Sequence, residues 1–356
     1  MIIAAGHICL DISPALDQPA SALRPGNLIE TGAARFVPGG AVGNVGCALR
    51  ALGADVRLMS LIGDDEIGDI LYSILNKRGL TDGLNRTNRA GTSYTFVIAP
   101  PDTDRIFLHH PGLNEMIGPD DMDMGVVRSA RLFHFGYPTL MKRFQTDGGE
   151  GLARMFKAAR EAGALTSLDL TLFDDDAPAA RVPWRDVLGR ALPYVDFFLP
   201  SAEEICKILE PGRLAEWRSR AGGGDIIRAL DIPGDVEPLA DQLITLGAKV
   251  VMIKCGERGL FLKGASYMLM KDRQMPLCSF ADARIIQPAL QPPTPIVSAA
   301  GAGDMCIAAF LHAALSGYNP SECLWFGAAA GSLSTTAYDG ASALIPLEDM
   351  RKIFIT

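Results

Sequence analysis

Near residue 300, a turn of small residues is followed by one carboxylate, an arrangement that suits phosphate chemistry. Gly301, Ala302 and Gly303 leave backbone amides open to close approach by a ligand. The apolar run 305–316 that follows predicts a helix, whose positive dipole end would add to an anion site for phosphate. Asp304 would lie beside that anion, where it can take a proton from a hydroxyl while the amides stabilise the transferring phosphoryl group.

A simpler interpretation is that this segment only caps a helix. Aspartate is common near helix N-termini because it complements the dipole, and short motifs also occur by chance. The rest of the chain has to decide between a base beside an anion site and a plain cap.

A second glycine-rich segment lies near residue 40. Gly39 and Gly40 allow close backbone approach, and Asn44 offers a donor and an acceptor, which suits a sugar diol; the alternative is a turn with Asn as a cap. Asp11 lies at the far end of an early apolar strand that begins at 1–5. Open α/β sheets bind polar ligands at such positions, although an Asp there is also common in solvated loops.

Strands and helices alternate along most of the chain, which predicts a mainly parallel sheet with helices on both faces. The expected strands are 1–5, 54–61, 132–135, 165–170, 197–199, 250–253 and 260–262. The expected helices include 69–77, 150–162, 184–191, 202–209, 236–246 and 305–316. Segments 211–225 and 265–295 are interpreted as insertions.

Three further segments predict a small separate sheet. These are Leu28-Ile29-Glu30, 92–99 and 105–109, with a hairpin turn at 100–104 between the last two.

Composition narrows the class of protein. The chain has 356 residues and a formal net charge of -8, with no Lys/Arg run, so nucleic acid and anionic membranes are not expected partners. Its seven cysteines form no C-x-x-C pair, which argues against a zinc site or a disulfide framework and favours a reducing cytoplasm. We expect no signal peptide and no membrane span.

Several familiar motifs are absent from the sequence. Without G-x-x-x-x-G-K-S/T, the chain is not expected to be a P-loop enzyme, and no G-x-G-x-x-G opens the first helix of a dinucleotide-binding unit. The five histidines have no metal-ligand spacing and are expected to be ordinary polar or core residues.

Four stretches occur in the order and spacing of one family, and the chain resembles the ribokinase-like (PfkB) carbohydrate kinases over nearly its whole length. Residues 39–68 resemble the N-terminal signature, and residues 298–304 resemble the C-terminal one, usually written D-T-T-G-A-G-D. Residues 254–259 are similar to a G-x-x-G turn that lines the nucleotide site. Residues 201–204 are similar to the N-x-x-E motif that helps to organise Mg²⁺.

The resemblance implies one α/β domain over residues 1–356: a doubly wound, mainly parallel sheet with a small β lid formed by about 12–36 and 92–110. It also implies a role for each matched residue. The catalytic residues would be Asp304 as base, with Gly301, Ala302 and Gly303 as the anion hole; the sugar would be bound by Asp11, Gly39, Gly40 and Asn44; the nucleotide would be bordered by Ser201, Lys254, Gly256 and Gly259; and Glu204 would support Mg²⁺ through water.

Three positions depart from the family pattern. Ser298 replaces an Asp of a monovalent-cation loop, which puts K⁺ activation in doubt. Ser201 replaces the Asn of N-x-x-E and weakens one contact around the metal, while Glu204 remains. The strand 132–135 is followed by Gly136-Tyr137-Pro138, where ribokinases typically place a sugar-binding Glu, so we expect a substrate other than ribose.

We therefore expect an ATP-dependent kinase that phosphorylates a hydroxymethyl group of a small sugar or sugar acid. The first alternative is a nucleoside kinase of the same fold, with base stacking by the lid aromatics Phe36, Tyr94, Phe96 and Phe107. The second is a catalytically silent sugar-binding regulator, which the intact Asp304 and its glycine turn argue against.

The lid also predicts how the chain assembles. Tyr94, Phe96 and Ile98 alternate with Thr95 and Val97, so one face of the lid is apolar. A small sheet is marginally stable unless such a face is covered. We expect the sugar to cover part of it and the lid of a second subunit to cover the rest, which gives a homodimer.

Overall fold

The computed structural model describes residues 1–354 apart from 102, 104 and 272–275. Its strands are β1 (Ile2–Gly6), β2 (Cys9–Pro14), β3 (Ala34–Gly39), β4 (Val56–Gly63), β5 (Leu84–Thr87), β6 (Tyr94–Ile98), β7 (Ile106–His110), β8 (Leu132–Gly136), β9 (Leu165–Leu168), β10 (Phe197–Phe198), β11 (Val250–Lys254), β12 (Leu260–Gly264) and β13 (Arg284–Gln287).

Helices separate most of these strands. They are α1 (Gly40–Ala51), α2 (Glu66–Lys77), α3 (Met124–Val127), α4 (Glu150–Glu161), α5 (Trp184–Ala191), α6 (Ala202–Leu209), α7 (Pro211–Ala221), α8 (Glu237–Thr245), α9 (Tyr267–Met270), α10 (Ala302–Leu315), α11 (Pro320–Ser334) and α12 (Leu347–Phe354).

Nine strands form the main sheet, in the order β13-β12-β11-β10-β9-β8-β1-β4-β5. Every neighbouring pair from β11 to β5 is parallel, and β12 runs against both of its neighbours. Successive side chains of a strand point to opposite faces, and β1 shows this directly. Ile2 and Ala4 join the core with α1, α10 and α11, whereas Ile3 and Ala5 join the core with α4, α5 and α8. The predicted doubly wound sheet with helices on both faces is confirmed.

The strand order of the main sheet reverses between β1 and β8. From β1 the chain continues outward through β4 and β5, whereas from β8 it continues through β9 to β13 on the other side. Ligands of open α/β sheets bind outside the carboxyl ends of the strands at such a switch point. The ends of β1 and β8, at Gly6 and Gly136, therefore mark where a site is expected.

Four strands form a second, smaller sheet in the order β3-β2-β6-β7. Asp11 pairs with Thr95 and Val37, so these three side chains share one face. The opposite face carries Tyr94, Phe96 and Ile98, and Phe96 is 39% exposed. The predicted apolar face exists, but it points away from Asp11, so a sugar bound at Asp11 does not cover it.

Two predictions about this smaller sheet were wrong. Leu28-Ile29-Glu30 forms no strand, and the side chain of Leu28 is 96% exposed; the strand that pairs with β2 begins six residues later, at Ala34. Asp11 does not end the first strand, because β1 stops at Gly6 and the chain enters the smaller sheet as β2. Short apolar runs do not reveal which sheet they join.

Other differences concern the edges of the main sheet. The segment 265–295, interpreted as an insertion, contains the edge strand β13, and the segment 211–225 contains α7. The edge strand β5 has a mostly polar sequence and was not predicted. The predicted turn at 100–104 lies partly outside the described residues.

Membrane spans and cysteines were also considered in the sequence. Within the described part of the chain, none of the helices is long and apolar enough to cross a membrane. All seven cysteines are free thiols.

Gly6 should tolerate no side chain, because it lies where the chain leaves the main sheet. Its φ is +112°, and an added Cβ would lie 2.0 Å from the carbonyl oxygen of Gly136 in β8. We expect Gly6→Ala to lower the free energy of unfolding by about 3 kcal/mol or more, measured as a shift of the urea midpoint.

Gly53→Ala is the matched control. Gly53 also has a positive φ, +86°, but nothing lies within 4 Å of its missing Cβ. Gly53→Ala should lower the free energy of unfolding only by the cost of a left-handed backbone conformation, about 1–2 kcal/mol. Equal losses at the two positions would show that close packing against β8 is not what requires Gly6.

Candidate active site

The N-terminal end of α10 carries the predicted anion site. Gly301 has a left-handed φ of 73°, which glycine adopts without strain. The amide of Met305 donates the first helical hydrogen bond back to the Gly301 carbonyl, at 3.0 Å. The Ala302 amide donates a long hydrogen bond to the Ala299 carbonyl, at 3.4 Å. The amides of Gly303 and Asp304 come before the first helical bond, so they can serve an anion at the positive end of the helix.

Asp304 lies on the first turn of α10 and is only 5% exposed. Two donors from distant parts of the chain hold its carboxylate: Tyr137 Oη donates to Oδ1 at 2.5 Å, and Asn44 Nδ2 donates to Oδ2 at 2.9 Å. Burial raises the pKa of Asp304 to about 6, against these hydrogen bonds and the charge of Lys254, which lower it. The group is therefore mainly ionised at neutral pH yet basic enough to accept a proton.

The predicted sugar-binding residues lie together beside Asp304. Asp11 lies in β2, and burial raises its pKa to about 6 despite hydrogen bonds with Cys9 and Thr95. A side chain at Gly39 would collide with this carboxylate, since its Cβ would lie 2.4 Å from Asp11 Oδ2. Gly40 opens α1, the helix that carries Asn44. Gly39 therefore makes room for the carboxylate, whereas Gly40 makes room for His7, whose Nδ1 would lie 2.5 Å from an added Cβ.

A cleft of 440 Å³ joins these groups. Asp11, Asn44 and Gly301 line it, together with residues of the smaller sheet and of the loop before α10. That volume is within the usual range for a small-molecule site. The smaller sheet thus covers the cleft from the side opposite α10.

Lys254 and Asp169 form a buried ion pair next to the anion site. Lys254 Nζ lies 2.8 Å from Asp169 Oδ1, and the Asp169 side chain is 1% exposed. Burial alone would lower the pKa of Lys254, but the charge and hydrogen bond of Asp169, together with the charges of Glu204 and Asp304, outweigh burial and raise it, so the lysine stays charged. The missing Cβ of Gly303 would lie 3.7 Å from Lys254 Nζ. The ammonium therefore adjoins the amides at the start of α10.

Ser201 and Glu204 cap helix α6 reciprocally. The Ser201 amide donates to Glu204 Oε2 at 2.7 Å, and the Glu204 amide donates to Ser201 Oγ at 3.2 Å. Ser201 also forms a β-bridge to Lys254, which places both near the ion pair. Among the described residues, no group of three or more His, Cys, Asp or Glu is placed to hold a metal ion. Any Mg²⁺ here would need most of its ligands from water and phosphate.

Gly256 and Gly259 belong to the turn that follows β11, and only Cys255 separates Gly256 from Lys254 at the end of the strand. Both have positive φ, 47° and 96°. A second cavity, of 390 Å³, lies on this side of the protein and is lined by Glu257 and Arg258 of the same turn. The predicted nucleotide residues are thus brought together at the end of β11.

Three residues of the site were not predicted from the sequence. Tyr137 contacts Asp304, Asp169 pairs with Lys254, and His7 is buried with both ring nitrogens lacking a hydrogen-bond partner. Burial lowers the pKa of His7 to about 3, so its ring is neutral. All three follow the carboxyl end of a central strand, the same signal that indicated Asp11. A search for polar residues directly after each predicted strand would therefore have indicated all three.

Curated relatives are plant fructokinases. A fructokinase of Solanum tuberosum is 31% identical over 188 residues, which cover 51% of this chain and 56% of that protein. The chain thus spans about half the length of the relatives it matches at this level. A probable fructokinase-5 of Arabidopsis thaliana is 26% identical over 99% of this chain and 97% of its own length.

Solved structures share the fold. A ribokinase of Arabidopsis thaliana, complexed with ribose and ATP, superposes with a TM-score of 0.72 at 20% identity, covering 100% of this chain and 98% of the other. A fructokinase of Xylella fastidiosa with bound ATP gives 0.72 at 19% identity, covering 99% and 97%. The family model described as pfkB family carbohydrate kinase matches residues 1–346. The chain therefore belongs to the pfkB family of carbohydrate kinases.

Proposed function

We propose that this protein is an ATP-dependent kinase that phosphorylates a hydroxymethyl group of a small sugar or sugar acid. One observation carries the proposal: a carboxylate with a pKa of about 6, Asp304, is held on the first turn of α10, beside the turn residue Gly301 that lines a sugar-sized cleft. The names of the relatives make fructose the first sugar to test.

The chemistry follows from the groups around Asp304. The hydroxymethyl oxygen attacks the γ-phosphorus of ATP, the bond to the bridging oxygen of ADP breaks, and the hydroxyl proton passes to the Asp304 carboxylate. The amides of Gly301, Ala302 and Gly303 stabilise the negative charge on the transferring phosphoryl oxygens. Lys254, which lies beside Gly303, adds a fixed positive charge.

The nucleotide is proposed to bind along Ser201, Lys254, Gly256 and Gly259; Glu257 and Arg258, between the two glycines, line the second cavity. Mg²⁺ would accompany the phosphates and neutralise part of their charge. Glu204 is proposed to support it through water; its carboxylate also accepts the Ser201 amide, which fixes its direction. Ser201 itself serves as the cap of α6.

The lid aromatics favour a sugar over a nucleoside. Phe36, Tyr94 and Phe96 lie on the face of the smaller sheet that points away from Asp11. Phe107 alone of the four shares the face of Val97, which lines the cleft. A nucleoside base would need a stacking surface inside the cleft, so the nucleoside kinase remains the weaker alternative. A silent sugar-binding regulator would not need the buried carboxylate of Asp304.

Free thiols at all seven cysteines support the proposed cytoplasmic location.

Replacing Asp304 by Asn tests whether its carboxylate is the catalytic base. The variant keeps the side-chain size and removes the proton acceptor, so we expect kcat on the best sugar to fall by about 10²–10⁴-fold. ATP binding should persist, because the amides of Gly301, Ala302 and Gly303 are unchanged. Steady-state kinetics give kcat, and a nucleotide-binding titration gives the Kd for ATP.

The melting temperature serves as the control for folding. The N-cap of α10 is Gly301, and the Asp304 carboxylate accepts from Tyr137 and Asn44 instead of capping the helix. Asn keeps the size of the side chain and removes a buried charge, so the variant should melt no lower than the wild type. A variant with near-native turnover and unchanged melting would refute Asp304 as the base.

K⁺ activation is expected to be weak or absent. Ser298 is uncharged, and its hydroxyl accepts the Ala300 amide at 3.2 Å, so it offers no charge to balance a cation. Turnover should be similar in K⁺ and in a large organic cation such as tetramethylammonium. Ser298→Asp should introduce a K⁺ response, and a strong response in the wild type would contradict the prediction.

A homodimer through the smaller sheet is proposed from its outer face. Phe36, Phe96, Ile106 and Leu108 lie on that face and are 39–56% exposed. Contiguous exposed apolar surface of this kind marks an interaction site, and a second copy would cover it. Light scattering at micromolar concentration should give twice the chain mass, and Phe96→Asp should halve it.

Met268→Asp is the matched control for the dimer, since Met268 is 67% exposed and lies on α9, away from the smaller sheet. Its mass should stay that of the wild type. A monomeric wild type, or an equal effect of both substitutions, would count against the proposed interface.

A further inference from the structure

Tyr137 follows β8 at the switch point of the main sheet and directs its hydroxyl at the proposed base. Its Oη donates to Asp304 Oδ1 at 2.5 Å, opposite the Asn44 amide on Oδ2. Burial, together with the charge of Asp304, raises the pKa of Tyr137 above its ordinary value. The phenol therefore stays protonated and acts as a donor to the carboxylate.

We propose that Tyr137 is a positioning residue that orients Asp304 and keeps it ionised for proton transfer. A donor to a carboxylate stabilises the charged form more than the neutral one, and such charge-assisted bonds are about twice as strong as neutral ones. The inference rests on the proposed function, since the base matters only if a substrate hydroxyl is deprotonated.

The other charged groups around Asp304 do not keep it ionised by themselves. Lys254 favours the carboxylate, but Lys254 is already paired with Asp169. Glu204 disfavours the ionised form of Asp304, and Asp304 and Asp11 disfavour each other's ionised forms. Cys9 and His7 are buried and neutral, so they supply no compensating charge. The hydrogen bond from Tyr137 is therefore the largest of the effects that oppose burial, ahead of Lys254 and Asn44.

Tyr137→Phe tests the inference, because it removes one hydroxyl and keeps the ring. Without the donor, the pKa of Asp304 should rise by about one unit, which is a tenfold change in its ionisation constant. The acid limb of the kcat/KM profile, which reports the free enzyme, should move to higher pH. Activity should fall about fivefold at pH 6 and about tenfold at pH 5, and stay close to the wild type near pH 9.

Tyr318→Phe is the matched control, since Tyr318 follows the opposite end of α10 from Asp304, about 20 Å away by helix length. Its pH profile should overlay that of the wild type. A profile of Tyr137→Phe that is lowered equally at every pH, with an unmoved midpoint, would overturn the inference and show a merely structural role.

A second measurement does not depend on activity. The carboxyl band in the infrared difference spectrum between each protein and its Asp304→Asn counterpart follows the titration of Asp304 directly. Its midpoint should be higher in Tyr137→Phe than in the wild type, and equal midpoints would refute the link between the two residues. If no sugar is phosphorylated, the proposed function fails while this titration still decides the role of Tyr137.

Discussion

A buried carboxylate at the start of a helix is the constraint on which this site depends. An isolated charge of this kind is strongly unfavourable away from water and is tolerated only when it is hydrogen-bonded or paired. Asp304 meets that condition through Asn44, through Tyr137 and through the dipole of α10. Each of these supports comes from a different part of the chain, so the fold has to bring three distant segments to one point.

The main sheet achieves this through its switch point. β1 and β8 are neighbours, and Gly6 and Gly136 pair at their carboxyl ends. From these ends the chain leads on one side to Asp11 in the smaller sheet, and on the other to Tyr137. Helix α10 packs against α1, which carries Asn44, within the same core. The close approach of β1 and β8 thus brings Tyr137 and Asn44 to the Asp304 carboxylate, with the Asp11 carboxylate near enough to interact with it.

The sequence was sufficient for some parts of this arrangement and not for others. The glycine turn before Asp304 and the pair Gly39 and Gly40 could be predicted, because such local backbone requirements leave a local signature. The pair of Lys254 with Asp169 could not, since 85 positions separate the residues and only the order of the strands brings them together. The prediction that the sugar covers the apolar face of the smaller sheet was wrong for a related reason. Alternation reveals that a strand has one apolar face, but which face meets the ligand depends on the strands that it pairs with.

The two carboxylates of the site are costly to keep ionised in the folded protein. Asp304 and Asp11 both have pKa values of about 6 in the folded protein, against an ordinary value of 3.8. The folded state therefore binds more protons than the unfolded state between these values, and the stability that comes from the neutral forms is lost as pH rises towards 6. Above that pH, keeping Asp304 ionised costs the folded state up to about 3 kcal/mol. An amide or apolar side chain would fill the same space without this cost, so packing does not explain a carboxylate there; the proton transfer that we propose for Asp304 requires one.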